Sequence, residues 1–210
     1  MIFMGNSEVH TKIRKDGKTA DLVQIALFAV LIAVCSWITI PAQIPFTLQT
    51  LAIFTALGIL GGKKGTIAIA IYILLGAVGI PVFSNFRGGI GVLAGATGGY
   101  ILGFILTGLI YWGITAAFRN IRRSKCLDVL VVSLAMIIGN LVCYAAGTVH
   151  YMMIYAKNAG GIGVGAALSL CVLPFILPDL VKIGIAVFIS KFSSLSRRFG
   201  SGRTSRHQDR

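Results

Sequence analysis

A chain of 210 residues that is 56% apolar and only 12% charged, with a mean hydropathy of +0.88, is too greasy for a soluble core; it reads as one polytopic membrane domain. Its net charge of +13 would suggest a nucleic-acid binder if the cations covered one face. They instead cluster between apolar runs, which points to membrane topology and excludes nucleic acid as the partner.

The first 20 residues are polar and mixed in charge, without a cleavable signal pattern, and are expected to be a cytoplasmic tail (1–20). Asp21 is expected to cap the first span, about 22–40. Ala29 and Ala33 lie four apart on it, a small-residue spacing that serves either internal packing or a partner helix. The proline-containing stretch 41–49 (PAQIPFTLQ) leads into a second span, 48–62, and a third, 66–81, comes after a basic turn at Lys63–Lys64. At ~1.5 Å per residue both fall short of the ~30 Å hydrocarbon core. GGKKGT (61–66) lacks the GxxxxGK[ST] spacing of a phosphate loop, so nucleotide binding is not expected.

The stretch 81–99 (PVFSNFRGGIGVLAGATGG) is glycine-rich yet carries Val92 and Leu93, as expected of a loop folded over a pocket. A fourth span at 98–118 carries Gly99 and Gly103, again four apart. A fifth, 127–149, starts at Asp128, a favourable place for a carboxylate at a helix N-terminus. Asn140 within it suits an interhelical hydrogen bond. After an irregular stretch at 150–167, the sixth span, 172–191, precedes a basic tail (193–210) with no apolar periodicity, expected to be mobile and drawn to anionic headgroups.

Sixteen of the 19 Lys and Arg residues fall in the N-terminal tail, in the 62–65 and 119–126 loops and from Lys191 onward, leaving Arg87, Lys157 and Lys182. With six spans all four blocks share one side, which the positive-inside rule makes cytoplasmic. The domain plan is therefore tail 1–20, membrane domain 21–192 and tail 193–210. All five prolines are expected at outer loops or helix ends. The cysteines Cys35, Cys126, Cys143 and Cys171 have no CxxC spacing; neither a disulfide nor a metal site is expected.

Asp179 is the one acidic residue inside the apolar runs, and Lys182 comes three positions later, on the same helix face. Each ion near mid-bilayer costs ~2.5–3.5 kcal/mol on insertion scales. The pair either locks two helices together or forms a polar ligand site; an acceptor beside a donor matches a cyclic urea or amide. Other candidates are Arg87, either a bidentate anion partner or an exposed loop charge, and Asn85 and Gln49, which either meet ligand or tie their own loops. Tyr100 and Tyr151 offer ring faces with a hydroxyl, or anchor at the interface. No nucleophile–base or metal spacing supports an enzyme.

IPFTLQTL (44–51), LLGAVGIPVF (74–83) with Gly88–Gly89, TGGYILGF (97–104) and GVGAALSLCVLPFILPDLVK (163–182) occur in this order. Together they resemble the BioY family, the biotin-binding S components of energy-coupling-factor (ECF) transporters, over residues 22–191. Three positions depart from the family pattern: Ala96 stands where a proline is expected, His150 where an aromatic is usual, and Pro178 precedes Asp179 without an intervening glycine.

The resemblance implies a six-helix, all-α S-component bundle in the bacterial cell membrane that captures biotin from outside. Its partners would be a transmembrane scaffold subunit and two cytoplasmic ATPases, docked through Ala29 and Ala33, with no cofactor beyond the ligand. Asp179 and Lys182 would hold the ureido ring. Alternatives are an ion-coupled or stand-alone carrier, for which internal repeats are lacking, and an S component for another small vitamin.

Overall fold

The computed structural model describes the backbone of residues 5–40, 44–120, 124–159 and 161–204; side chains 5–16, 125, 157–159 and 194–204 are outside that description. Among these residues eight α-helices occur in order: α1 (Gly5–Trp37), α2 (Gln49–Leu60), α3 (Gly62–Ala77), α4 (Ile90–Leu93), α5 (Gly98–Ala117), α6 (Lys125–Ala159), α7 (Val164–Cys171) and α8 (Leu173–Thr204). Four stretches are long and apolar enough to cross a membrane: Gly17–Trp37, Gly98–Ala117, Cys126–Ala156 and Val164–Ser193. Their outward faces carry Leu22, Leu27, Leu109, Leu141, Leu177 and Phe188, all exposed, as expected where lipid is the solvent.

The short spans are short helices. α2 and α3 meet at Gly61, whose φ of 81° makes the reversal without a loop. The expected 62–65 turn is thus helical, and Lys63–Lys64 lie in the first turn of α3. A β-carbon on Gly62 would sit 2.5 Å from the Trp112 backbone, so α3 starts pressed against α5. The φ of Gly61 and the close approaches at Gly62 and Gly65, rather than phosphate binding, account for the glycines of GGKKG.

Small residues also set the α5–α6 contact. A β-carbon at Gly103 would come within 2.8 Å of Cys143 Sγ, and one at Gly99 within 2.3 Å of His150. Ala29 and Ala33 do the same inside the bundle. They are 2% and 6% exposed and belong to the core with residues of α2 and α3. In the chain by itself both side chains pack inside the bundle rather than on its surface. Enlarging one, as in Ala33→Leu, is expected to cost about 1–3 kcal/mol by overpacking. Thermal unfolding in detergent checks this; Val30→Leu, on the exposed face, should leave the midpoint unchanged.

Several boundaries differ from expectation. Asp21 caps nothing, because α1 begins at Gly5; its carboxylate accepts from Lys64 Nζ at 2.5 Å, tying α1 to α3. Asp128 does lie in the first turn of α6, and it pairs with Lys191 of α8. The stretch after 149 stays helical to Ala159, and α8 runs to Thr204 rather than dissolving into a tail. Residues 205–210 of that tail lie outside the described residues, as do 41–43. Pro178 is inside α8, not at its end, and removes one backbone donor a residue before Asp179.

One element departs from the all-α expectation. Thr39–Ile40 (β1) and Phe46–Thr47 (β2) pair antiparallel as a minimal hairpin between α1 and α2. Beyond α3 the chain is pinned to the same end. Ser36 Oγ donates to the Val82 carbonyl at 2.5 Å and Trp37 Nε1 to the Pro81 carbonyl at 3.0 Å. Val92, Leu93 and Ala96 pack against the core, so the glycine-rich stretch is folded over the bundle, as expected.

Candidate functional site

α8 places Asp179 and Lys182 on its inward face, 3% and 6% exposed. Lys182 Nζ donates to Asp179 Oδ1 at 2.9 Å, to Thr50 Oγ1 at 2.9 Å and to the Thr47 carbonyl at 2.8 Å. All three ammonium hydrogens therefore have partners. Thr50 closes a triangle by donating to Asp179 Oδ1 at 3.0 Å. On the other oxygen, Oδ2, the Tyr144 hydroxyl donates at 2.6 Å and Asn140 Nδ2 at 3.5 Å. The ions are thus compensated by each other and by dipoles from α2 and α6, as a buried pair requires.

The hairpin covers this pair. Lys182 Nζ lies 4.3 Å from the centroid of the Phe46 ring, a cation–π contact, and Phe46 stacks on Phe175 of α8 at 5.8 Å. Thr47 contributes its carbonyl because β2 ends there and α2 begins two residues later. Lys182 thereby holds the hairpin down on the bundle.

Beside the pair is a cavity. It leaves about 80 Å³ for the centres of water-sized molecules, and its wall includes Gln49, Thr50, Tyr100, Tyr144, Asp179 and Lys182. Aromatic and aliphatic side chains (Ile44, Ile101, Phe104, Phe175) share the wall, so the chamber combines apolar surface with a few polar groups. Tyr100 stands in the wall because Gly147 lets its ring approach: a β-carbon there would come within 2.3 Å of the ring. Its hydroxyl shares a 2.9 Å hydrogen bond with Thr148. Gln49 is held by donating to the Tyr72 hydroxyl at 3.1 Å.

The other candidates separate. Asn85 and Arg87 line a second, wider space that meets the first at Pro45 and Thr97. Both are exposed, and Asn85 has a left-handed φ of 58° in the 3-10 turn Ser84–Phe86. Tyr151 is not among the residues lining either space; its ring packs on Tyr155 at 5.9 Å in the core. Asn140 makes the expected interhelical bond and also lines the first cavity. Sequence reasoning missed Thr50, Tyr144, Phe46 and Phe175. Thr50 lies inside the IPFTLQTL signature, the one signal that could have found it.

Fold and site together define a polytopic membrane protein that encloses a small chamber around a buried ion pair, with no metal cluster among the described residues. The sequence profile of the BioY family matches residues 7–199, and the chain belongs to that family. It is 37% identical over 171 residues to the biotin transporter BioY of Thermotoga maritima, covering 81% of this chain and 93% of that protein. It is also 37% identical over 175 residues to the probable biotin transporter BioY of Pyrococcus horikoshii, covering 83% and 96%. The fold matches the crystal structure of the S-component for biotin from an ECF-type ABC transporter with a TM-score of 0.71. That match covers 87% of this chain and 93% of the other at 22% identity, and so speaks to the fold.

Proposed function

We propose that this protein is a biotin-uptake S component, a binding subunit and not an enzyme, which captures biotin in the cavity beside Asp179 and Lys182. The observation that carries this reading is that a fully compensated ion pair, bonded to α2 and α6, also lines a chamber. The relatives named as biotin transporters support the choice of ligand.

The ureido ring of biotin has two N–H donors and a carbonyl acceptor. Asp179 Oδ2 is the natural acceptor for an N–H, since the 3.5 Å contact from Asn140 is the longest it receives and the cheapest to exchange. The ureido carbonyl accepts from Lys182 in exchange for Thr50 Oγ1, which still donates to Asp179. Gln49 and Tyr100 line the chamber around the ring system. The valeryl chain leads past Pro45 and Thr97 toward Asn85 and Arg87, where its carboxylate meets a cation. The panel that tests this is equilibrium binding on purified, detergent-solubilised protein. Biotin should bind, and thiamine and riboflavin should not; binding of either in preference to biotin reassigns the ligand.

Six helices cross the membrane in this reading: α1, α2, α3, α5, α6 and α8, the short α2 and α3 forming a hairpin supported by α5. Both termini and the basic blocks are cytoplasmic, and the cavity end faces out. Import requires a scaffold subunit and ATPases. With Ala29 and Ala33 turned inward, the scaffold meets the outer face of α1 at Ala26, Val30 and Val34, all exposed. Val30→Trp is expected to keep biotin binding and lose co-purification with the scaffold; retained assembly rejects that face.

A further inference from the structure

The two chambers that meet at Pro45 and Thr97 differ sharply in size and chemistry. The inner one leaves about 80 Å³ for water-sized molecules and ends at the ion pair. The outer one leaves about 510 Å³, more than biotin's short carboxyl end can fill. Its one charged wall residue among the described residues is Arg87, whose Nε donates a long hydrogen bond to the Ser84 carbonyl at 3.4 Å. No acidic residue lines it among the described residues. Gly91, on α4, lies in that wall, and a β-carbon there would meet nothing within 4 Å. Among the described residues the wall of this space is polar, carries one cation and no acid, and leaves room for a ligand.

We propose that the outer chamber admits biotin extended through its carboxyl group by an amino acid, with the conjugate's terminal carboxylate on Arg87. This rests on the biotin reading above and deepens it. The inner chamber recognises the bicyclic head and is indifferent to the group beyond the amide. An amide replaces the valeryl carboxylate by a neutral donor and acceptor, and the amino-acid carboxylate restores the negative charge further out. Extension is thus tolerated where a tightly closed pocket would reject it.

The test is isothermal titration of the purified full chain with biotin and with N-biotinylglycine, whose one charge is its carboxylate. The expected result is affinities within about tenfold of each other. A conjugate more than about a hundredfold weaker, with biotin binding normally, overturns this inference and leaves the biotin reading standing. Failure of both ligands removes the two together. Gly91→Trp narrows the outer chamber and should weaken the conjugate at least about tenfold more than it weakens biotin. If that variant binds both ligands as the wild type does, the outer chamber is not where the extension sits.

Discussion

Asp179→Asn is expected to weaken biotin binding by at least about tenfold, or ~1.4 kcal/mol, while leaving membrane insertion intact. The substitution keeps the shape and changes the polarity. Oδ1 faces two donors, Lys182 and Thr50, so the amide oxygen of an Asn belongs there. The amide nitrogen must then occupy the place of Oδ2, where the Tyr144 hydroxyl now donates. Tyr144 can turn to accept, but an incoming ureido N–H would meet a second donor. A loss of affinity with the gel-filtration profile retained, at a lowered thermal midpoint because Lys182 loses its counter-charge, is the expected outcome. Unchanged affinity would show that the ligand does not use Oδ2.

Lys182→Met is expected to destabilise the fold by about 3–5 kcal/mol, because it strands a buried carboxylate without its counter-charge. Thr50, Tyr144 and Asn140 still donate to Asp179, yet none neutralises it. The hairpin also loses two attachments, the hydrogen bond to the Thr47 carbonyl and the cation–π contact with Phe46. The double variant Asp179→Asn/Lys182→Met removes both charges, so thermal stability in detergent should largely return. Biotin binding should not. Recovery of binding along with stability would mean that the pair is a helix lock and the ligand is held elsewhere.

The legibility of each element in the sequence depends on the forces that hold it. A lone carboxylate and ammonium three apart in an apolar run cannot be left facing lipid, so Asp179 and Lys182 stand out and the structure buries both. Tyr144 does not, because an aromatic in an apolar helix satisfies packing and interface rules equally well; only the proximity of α6 to α8 makes it a donor to Asp179. Spacing marks Ala29 and Ala33 for a close helix contact without saying with which helix. They face the bundle, and α1 turns bulkier residues outward.

The missed boundaries share another cause. Asp21 and the residues before it carry charge and little hydropathy, which reads as a tail, whereas helix formation tolerates charge and α1 extends through them. Likewise 150–159 reads as irregular because Gly160, Gly161 and Gly163 follow it, although it contains no breaker of its own; α6 continues to Ala159. The Phe46–Thr47 strand is two residues long, too short for any period-two alternation. It is held from outside its own sequence, by Lys182 and Phe175.

The most direct measurement is an experimental structure of the purified protein with saturating biotin. The ureido ring should lie in the chamber between Tyr144 and Lys182, with an N–H within hydrogen-bond distance of Asp179 Oδ2 and Asn140 displaced from it. A ligand bound anywhere else, or an unaltered Asp179–Lys182–Thr50 triangle beside an empty chamber, contradicts the account.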